Sequence, residues 1–182
     1  MKILLAPSET KKPGGELSFK LEELLFEGLL PYRTKLLHTY MNILQQGNMA
    51  VLSKMFGLKK EADILMHKKD IIHQLTMKAI QRYTGVAFDH LAYETLDEEA
   101  QHYVDSHVIL FSNLFGPIRA SDLIPEYRLK QGAAVGDIKV EKFYHEHAAN
   151  RMQTYLAEDE ILDLRAGLYD KFYKPAKPST TL

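Results

Sequence analysis

Residues 112–132, SNLFGPIRASDLIPEYRLKQG, constrain the fold more than any other stretch of this chain. An apolar, strand-like run from Val108 to Phe111 leads into a Gly116-Pro117 turn. Arg119, Asp122, Tyr127 and Arg128 then stand among Leu123, Ile124 and Leu129. Burying Arg or Asp is costly unless the charge is paired and hydrogen-bonded. Such a density of polar groups in apolar sequence calls for a structural ion-pair network or a polar site. Arg119 and Arg128 are expected to pair with Asp122 and Glu126, which favours the structural alternative.

The remaining composition narrows the class. A length of 182 residues suits a single domain with a substantial core, and residues 170–182, rich in Pro, Lys and Thr, are expected to form an irregular tail. No run approaches the length of a membrane span, and the start lacks the basic and apolar regions of a secretory signal. A cytoplasmic protein with no membrane partner is therefore expected. The absence of cysteine excludes disulfides, thiolate nucleophiles, Cys-ligated zinc and iron–sulfur clusters.

The overall charge of −1 conceals a segregation along the chain. Between Leu44 and Phe88, Lys54, Lys59, Lys60, Lys68, Lys69, Lys78 and Arg82 oppose Glu61, Asp63 and Asp70, a net +4. Between Asp89 and Glu126, eight carboxylates face only Arg119, a net −7. Such a pair of segments can provide a nucleic-acid surface, can neutralise one another, or can simply be solvated helix faces.

Periodicity predicts a mixed α/β (α+β) fold, a helical amino-terminal block packed on a mixed sheet. Lys2 to Ala6 reads as a first strand and Pro7 to Gly15 as a loop. A helix capped by Ser18 is expected to run to Leu30 and end at Pro31. A second carries Leu36, Leu37, Tyr40, Met41 and Leu44 and ends at Gly47. A third, capped by Asn48, ends at Gly57. Leu58 to Arg82 reads as one bent helix or two. Strands are expected at Thr84 to Phe88, His107 to Ser112, Tyr127 to Leu129 and Glu160 to Leu164, with helices at Asp97 to Asp105 and Glu141 to Ala157.

Two places could carry chemistry. Gly57 with Lys59 and Lys60 lies between two expected helices, as in a helix-hairpin-helix element, where a glycine turn presents backbone N–H groups and lysines to a phosphate. Lys54 and Lys68 would extend that surface. The usual element has two glycines and this stretch has one, so an ordinary helix connection is the competing reading. The loop after the first strand offers Ser8, Thr10 and Lys11 for an anion, and Arg119, Asp122, Tyr127 and Arg128 could join them or serve structure alone. Neither common nucleotide-binding fingerprint is present. His145 and His147 are two apart on an expected helix and diverge, and His67, Asp70 and His73 lack a fourth ligand, so no metal site or cofactor is expected.

Ser112, Leu114, Phe115, Gly116, Ile118, Arg119, Asp122 and Leu123, followed by Tyr127, Arg128 and Leu129, resemble the YaaA-type peroxide stress proteins of bacteria. Weaker likeness extends to KILLAPSET at the start, to YTGVAFDHLAYETL, to Phe143-Tyr144 and to ILDLRAGLYDKFYKP. The loop after the first strand departs from the family's S-P-A-K-T, keeping Pro7 and Thr10. The resemblance implies a peroxide stress role with DNA binding through a helix-hairpin-helix-like element, limitation of iron-dependent damage, and no required catalysis. It also implies a chain shorter than its relatives at the carboxyl end. An enzyme acting on a nucleotide or phosphorylated small molecule is the alternative.

Overall fold

The structure is a computed structural model that describes residues 1–176 and the backbone of 180–181. The elements in chain order are β1 (Lys2–Leu5), β2 (Leu17–Ser18), α1 (Leu30–Gln46), α2 (Met49–Phe56), α3 (Glu61–Met66), β3 (Leu75–Lys78), α4 (Ala79–Arg82), α5 (Val86–Leu91) and α6 (Glu98–His107). They continue with β4 (Val108–Ser112), β5 (Gly116–Arg119), β6 (Leu123–Ile124), β7 (Ala134–Val135), β8 (Ile138–Lys139), α7 (Val140–Tyr155), β9 (Ile161–Leu164) and β10 (Thr180–Thr181).

The main sheet has the order β10-β9-β1-β4-β5. Its first four strands are parallel, Ile3 facing Val108 and Leu162, and only β5 runs antiparallel, through the tight link from Ser112 to Gly116. All five residues of β4 are buried, which is why its sequence is a continuous apolar run rather than an alternation. Gly116, at φ 71°, makes that link, and a Cβ there would lie 2.6 Å from the Tyr144 ring of α7, so the turn and the helix packing both require glycine. Two smaller antiparallel groups, β2-β3-β6 and β7-β8, complete a mixed α/β fold. Leu36, Tyr40 and Leu44 of α1, Phe56 of α2, β4 and Tyr144 of α7 all belong to one buried cluster.

The caps expected at Asn48, Gly47 and Gly57 form. Asn48 Oδ1 accepts from Ala50 N and Val51 N at 3.1 and 3.3 Å, Asp97 Oδ1 accepts from Ala100 N at 2.8 Å, and Gly47 and Gly57 close α1 and α2 in the left-handed region. Pro31 is a correction: it sits in the first turn of α1, where its missing N–H has no partner to lose, and starts a helix instead of ending one. Residues 17–29 hold β2 and two 3-10 turns rather than a helix capped by Ser18.

Of the one bent helix or two expected from Leu58 to Arg82, two short helices form, α3 and α4, and the rest is corrected to a turn and a strand, because Asp70 turns the chain between them. Its Oδ1 accepts from Ile72 N at 2.9 Å, its Oδ2 bonds to His73 Nδ1 at 2.6 Å, and its backbone oxygen accepts from Gln74 Nε2 at 3.1 Å. Leu75 to Lys78 then form β3 between β2 and β6. The strand expected at Thr84 to Phe88 is instead Gly85, at φ 114°, leading into α5, and residues 127–129 are not a strand. Of the expected irregular tail, Thr180–Thr181 pair in parallel with β9, while 177–179 and 182 lie outside the described residues.

Two buried guanidinium groups bind the layers. Arg33 donates through Nε to Phe115 O and through Nη2 to Pro117 O, both at 2.8 Å, and through Nη1 to Leu24 O and Phe26 O. Arg82, fully buried, donates to Ile124 O, Lys12 O, Gly14 O and Leu75 O. Each satisfies its donors with peptide oxygens, and the charge stays because Arg does not deprotonate in proteins. Replacing Arg82 with Met would strand four carbonyls from three segments. A loss of about 3 kcal/mol or more is expected in urea unfolding, and a loss of only a few tenths would show that these contacts do not hold the fold.

Candidate functional site

The strand order turns at β1, with β4 on one side and β9 on the other. In open α/β sheets, such a turning point at the carboxyl ends of the strands is where ligands are bound. The loop leaving β1 there is tied down by its own side chains. Ser8 Oγ and Thr10 Oγ1 lie 3.0 Å apart, Thr10 N donates to Ser8 Oγ, and Thr84 Oγ1 donates to Thr10 Oγ1 at 3.0 Å. Gly85 faces this trio, its missing Cβ leaving 3.5 Å to Ser8 Oγ. Backbone pairing of Lys11 with Tyr83, and of Lys12 N with Arg82 O, fixes the loop to α4.

Lys11 is the unusual group of this edge. Its Nζ lies 4.0 Å from the Tyr127 ring centroid and 5.0 Å from that of Tyr83, and it donates to Ser8 O at 3.2 Å and Glu9 O at 3.4 Å. No carboxylate pairs with it among the described residues. Desolvation, then the nearby Arg128 guanidinium, pull its amine from the ordinary 10.5 down to about 7, against the opposing pull of Glu9 and Glu126. Beneath it the Tyr83 and Tyr127 hydroxyls are 2.8 Å apart, and Ser112 Oγ is 2.7 Å from Tyr127 Oη. Burial pushes both phenols up, so they stay protonated and offer the amine no counter-charge. Beside Ser112, Asn113 Nδ2 donates to Leu129 O, and its buried Oδ1 has no hydrogen-bond partner among the described residues.

Of the two ion pairs expected within residues 119–128, Arg119 with Asp122 forms as a long contact and Arg128 with Glu126 does not form. Arg128 pairs across the fold with Glu9, Nη2 to Oε2 at 2.9 Å, and its Nε donates to Phe56 O at 3.0 Å. Glu126 instead binds Lys69 at 2.8 Å. Arg119 is exposed and reaches Asp122 only at 3.9 Å. Asp122 is buried because its Oδ2 accepts from Leu25 N and Arg119 N, and desolvation raises its pKa in spite of those bonds. The segment is therefore structural at Asp122, while Arg128 joins the β1 loop to the end of α2.

The second candidate lies beyond that junction. Lys54, Lys59 and Lys60 are exposed around the α2–α3 connection, Lys68 is exposed beyond α3 with its Nζ toward Gly47, and none forms an ion pair among the described residues. The other basic groups of the same stretch are engaged: Lys69 by Glu126, Lys78 by Asp105 at 2.6 Å, and Arg82 by peptide oxygens. The connection itself is built as a closed turn. Gly57 N and Leu58 N both donate to Ser53 O, Ser53 Oγ donates to Leu58 O, and a Cβ at Gly57 would lie 2.7 Å from Lys130 Cδ. The N–H groups of Gly57 and Leu58 are thus used inside the protein.

Among the described residues no group of three or more His, Asp or Glu side chains could hold a metal ion. His147 stacks on Tyr32 at 3.8 Å, and His67 lies 4.0 Å from Glu126. Sequence reasoning missed Glu9, Tyr83 and Asn113. Glu9 lay visible beside Ser8 and Thr10, whereas Tyr83 and Asn113 become site residues only through the sheet pairing that brings β1, α4 and β4 together.

The family model described as peroxide stress protein YaaA matches residues 1–182, and the chain belongs to this family. An uncharacterized protein of Campylobacter jejuni is 43% identical over 97% of this chain and 72% of its own length. UPF0246 proteins of Corynebacterium efficiens and Rickettsia conorii are 33% and 28% identical, over 96% and 85% of this chain. The chain spans 70% and 63% of those two proteins. Among the described residues no helix is long and apolar enough to cross a membrane.

The Lys11 shift carries a sign that can be measured. With a native pKa of about 7 against an ordinary 10.5, the unfolded chain binds more protons between these values, so stability rises with pH across that window. The penalty is complete below about 7. Lys11→Met should therefore gain most over the wild type near pH 6, with the gain shrinking toward pH 10. A difference in urea stability that stays flat with pH would contradict the buried amine.

Proposed function

We propose that this member of the peroxide stress family is a cytoplasmic DNA-binding protein whose contact surface is formed by Lys54, Lys59, Lys60 and Lys68, and that covering DNA limits iron-dependent oxidative damage. The observation that carries the reading is the division of the basic segment. Lys69, Lys78 and Arg82 are consumed by internal partners, whereas Lys54, Lys59 and Lys60 near the Gly57 turn and Lys68 beyond α3 stand exposed with no carboxylate paired to them among the described residues. Free ammonium groups so arranged suit phosphates, and binding through them is steep in salt and weak in sequence preference.

Gly57 has a narrower part than a full helix-hairpin-helix would give it. It closes the turn between α2 and α3, and its own N–H donates to Ser53 O. The Arg128 bridge from Phe56 O to Glu9 keeps that turn attached to the sheet. DNA affinity measured by fluorescence anisotropy across a salt series tests this directly. Lys59→Ala combined with Lys60→Ala should reduce the magnitude of the slope of log affinity against log salt by about 2 and weaken binding at low salt by roughly tenfold or more. Unchanged affinity and slope would remove these lysines from the interface.

A further inference from the structure

We infer that Lys11 is a carbonyl-reactive amine, placed at the carboxyl edge of the sheet to capture a small aldehyde as an imine. This activity is independent of the DNA reading and rests on a different part of the molecule. The amine is held rather than free. Ser8 O and Glu9 O accept its hydrogens, and the Tyr83 and Tyr127 rings wall it in. A neutral amine has two N–H donors for those two carbonyls and keeps its lone pair, which is the nucleophile.

The surroundings favour that neutral form. Arg128, from the segment after β6, and Arg82, from α4, repel a charge on Lys11, while Glu9 of the same loop and Glu126 attract it. Glu9 is already bound to Arg128 and to Gln131 N, and Glu126 to Lys69. The net effect leaves the amine near neutrality at physiological pH. A desolvated lysine beside another cation is the arrangement by which proteins prepare an amine for Schiff-base chemistry. Among the other described lysines, Lys12, Lys20, Lys69, Lys78 and Lys142 pair with carboxylates, Lys2 is half-buried over the Tyr155 ring and donates to Ser106 O, and the rest stand exposed in solvent.

The chemistry closes without an oxidant or reductant. The nitrogen lone pair forms a C–N bond to the carbonyl carbon, and the C=O π electrons move to oxygen, which takes up a proton. The resulting hydroxyl leaves as water after a second protonation from solvent, one proton having departed from nitrogen, and the nitrogen lone pair completes a protonated C=N bond. Aldehydes are products of oxidative breakdown of sugars and lipids, so such an amine would meet its substrates under peroxide stress.

The test is reductive trapping of the full chain with propanal and sodium cyanoborohydride near pH 7, followed by peptide mass mapping. Propylation should concentrate on Lys11 at least tenfold over Lys54, Lys59, Lys60 and Lys68, because an ordinary lysine is almost wholly protonated there. The preference should vanish near pH 10, where all lysines supply free amine. Lys11→Arg should lose the dominant adduct and keep slow surface labelling. Should that variant fail to fold, the wild-type map alone decides. Labelling of Lys11 no faster than the surface lysines, or seen only after unfolding in urea, would overturn the inference.

Discussion

The small sheet and the loop leaving β1 depend on one buried cation, the Arg82 guanidinium. It reaches carbonyls of the β1 loop at Lys12 and Gly14, of β3 at Leu75 and of β6 at Ile124. The ladders that β2 and β6 make with β3 are short, with two residues in each partner strand. Peptide oxygens turned toward one charged fork supplement them. The consequence reaches the candidate site, because Lys12 N returns a bond to Arg82 O and so sets where Lys11 enters the space beside Tyr83 and Tyr127.

A second cation, Arg128, passes this rigidity outward. By donating to Phe56 O and pairing with Glu9, it links the end of α2 to the carboxyl edge of β1. The basic and acidic halves of the middle of the chain then meet selectively. Lys69 and Lys78 find Glu126 and Asp105, while Lys54, Lys59, Lys60 and Lys68 do not find a carboxylate among the described residues. Mutual neutralisation and a free basic surface, alternatives in the sequence, thus coexist in different parts of one segment.

Much of this was legible in the sequence because it is local. Asn48, Asp97, Gly47 and Gly57 delimit helices through bonds to residues within a turn of themselves, and the buried run of β4 identifies itself. What was missed depends on distant partners or on alternatives within one turn. Leu75 to Lys78 become a strand because β2 and β6 flank them, and Pro31 fits the first turn of a helix as readily as it breaks one. Arg128 looked destined for Glu126, two positions away, yet its partner is Glu9, 119 positions distant. Lys11 was visible as a polar loop residue, but nothing in its neighbours announces two tyrosine rings supplied by other segments.

Lys54, Lys59, Lys60 and Lys68, unpaired among the described residues, are proposed to give this peroxide stress family member its contact with DNA. The salt dependence of duplex DNA binding by the unaltered protein tests it most directly. Four phosphate contacts predict a slope of log affinity against log salt of about −3 to −4, with no strong preference among sequences. Binding that ignores salt, or no binding even at low salt, would contradict the account.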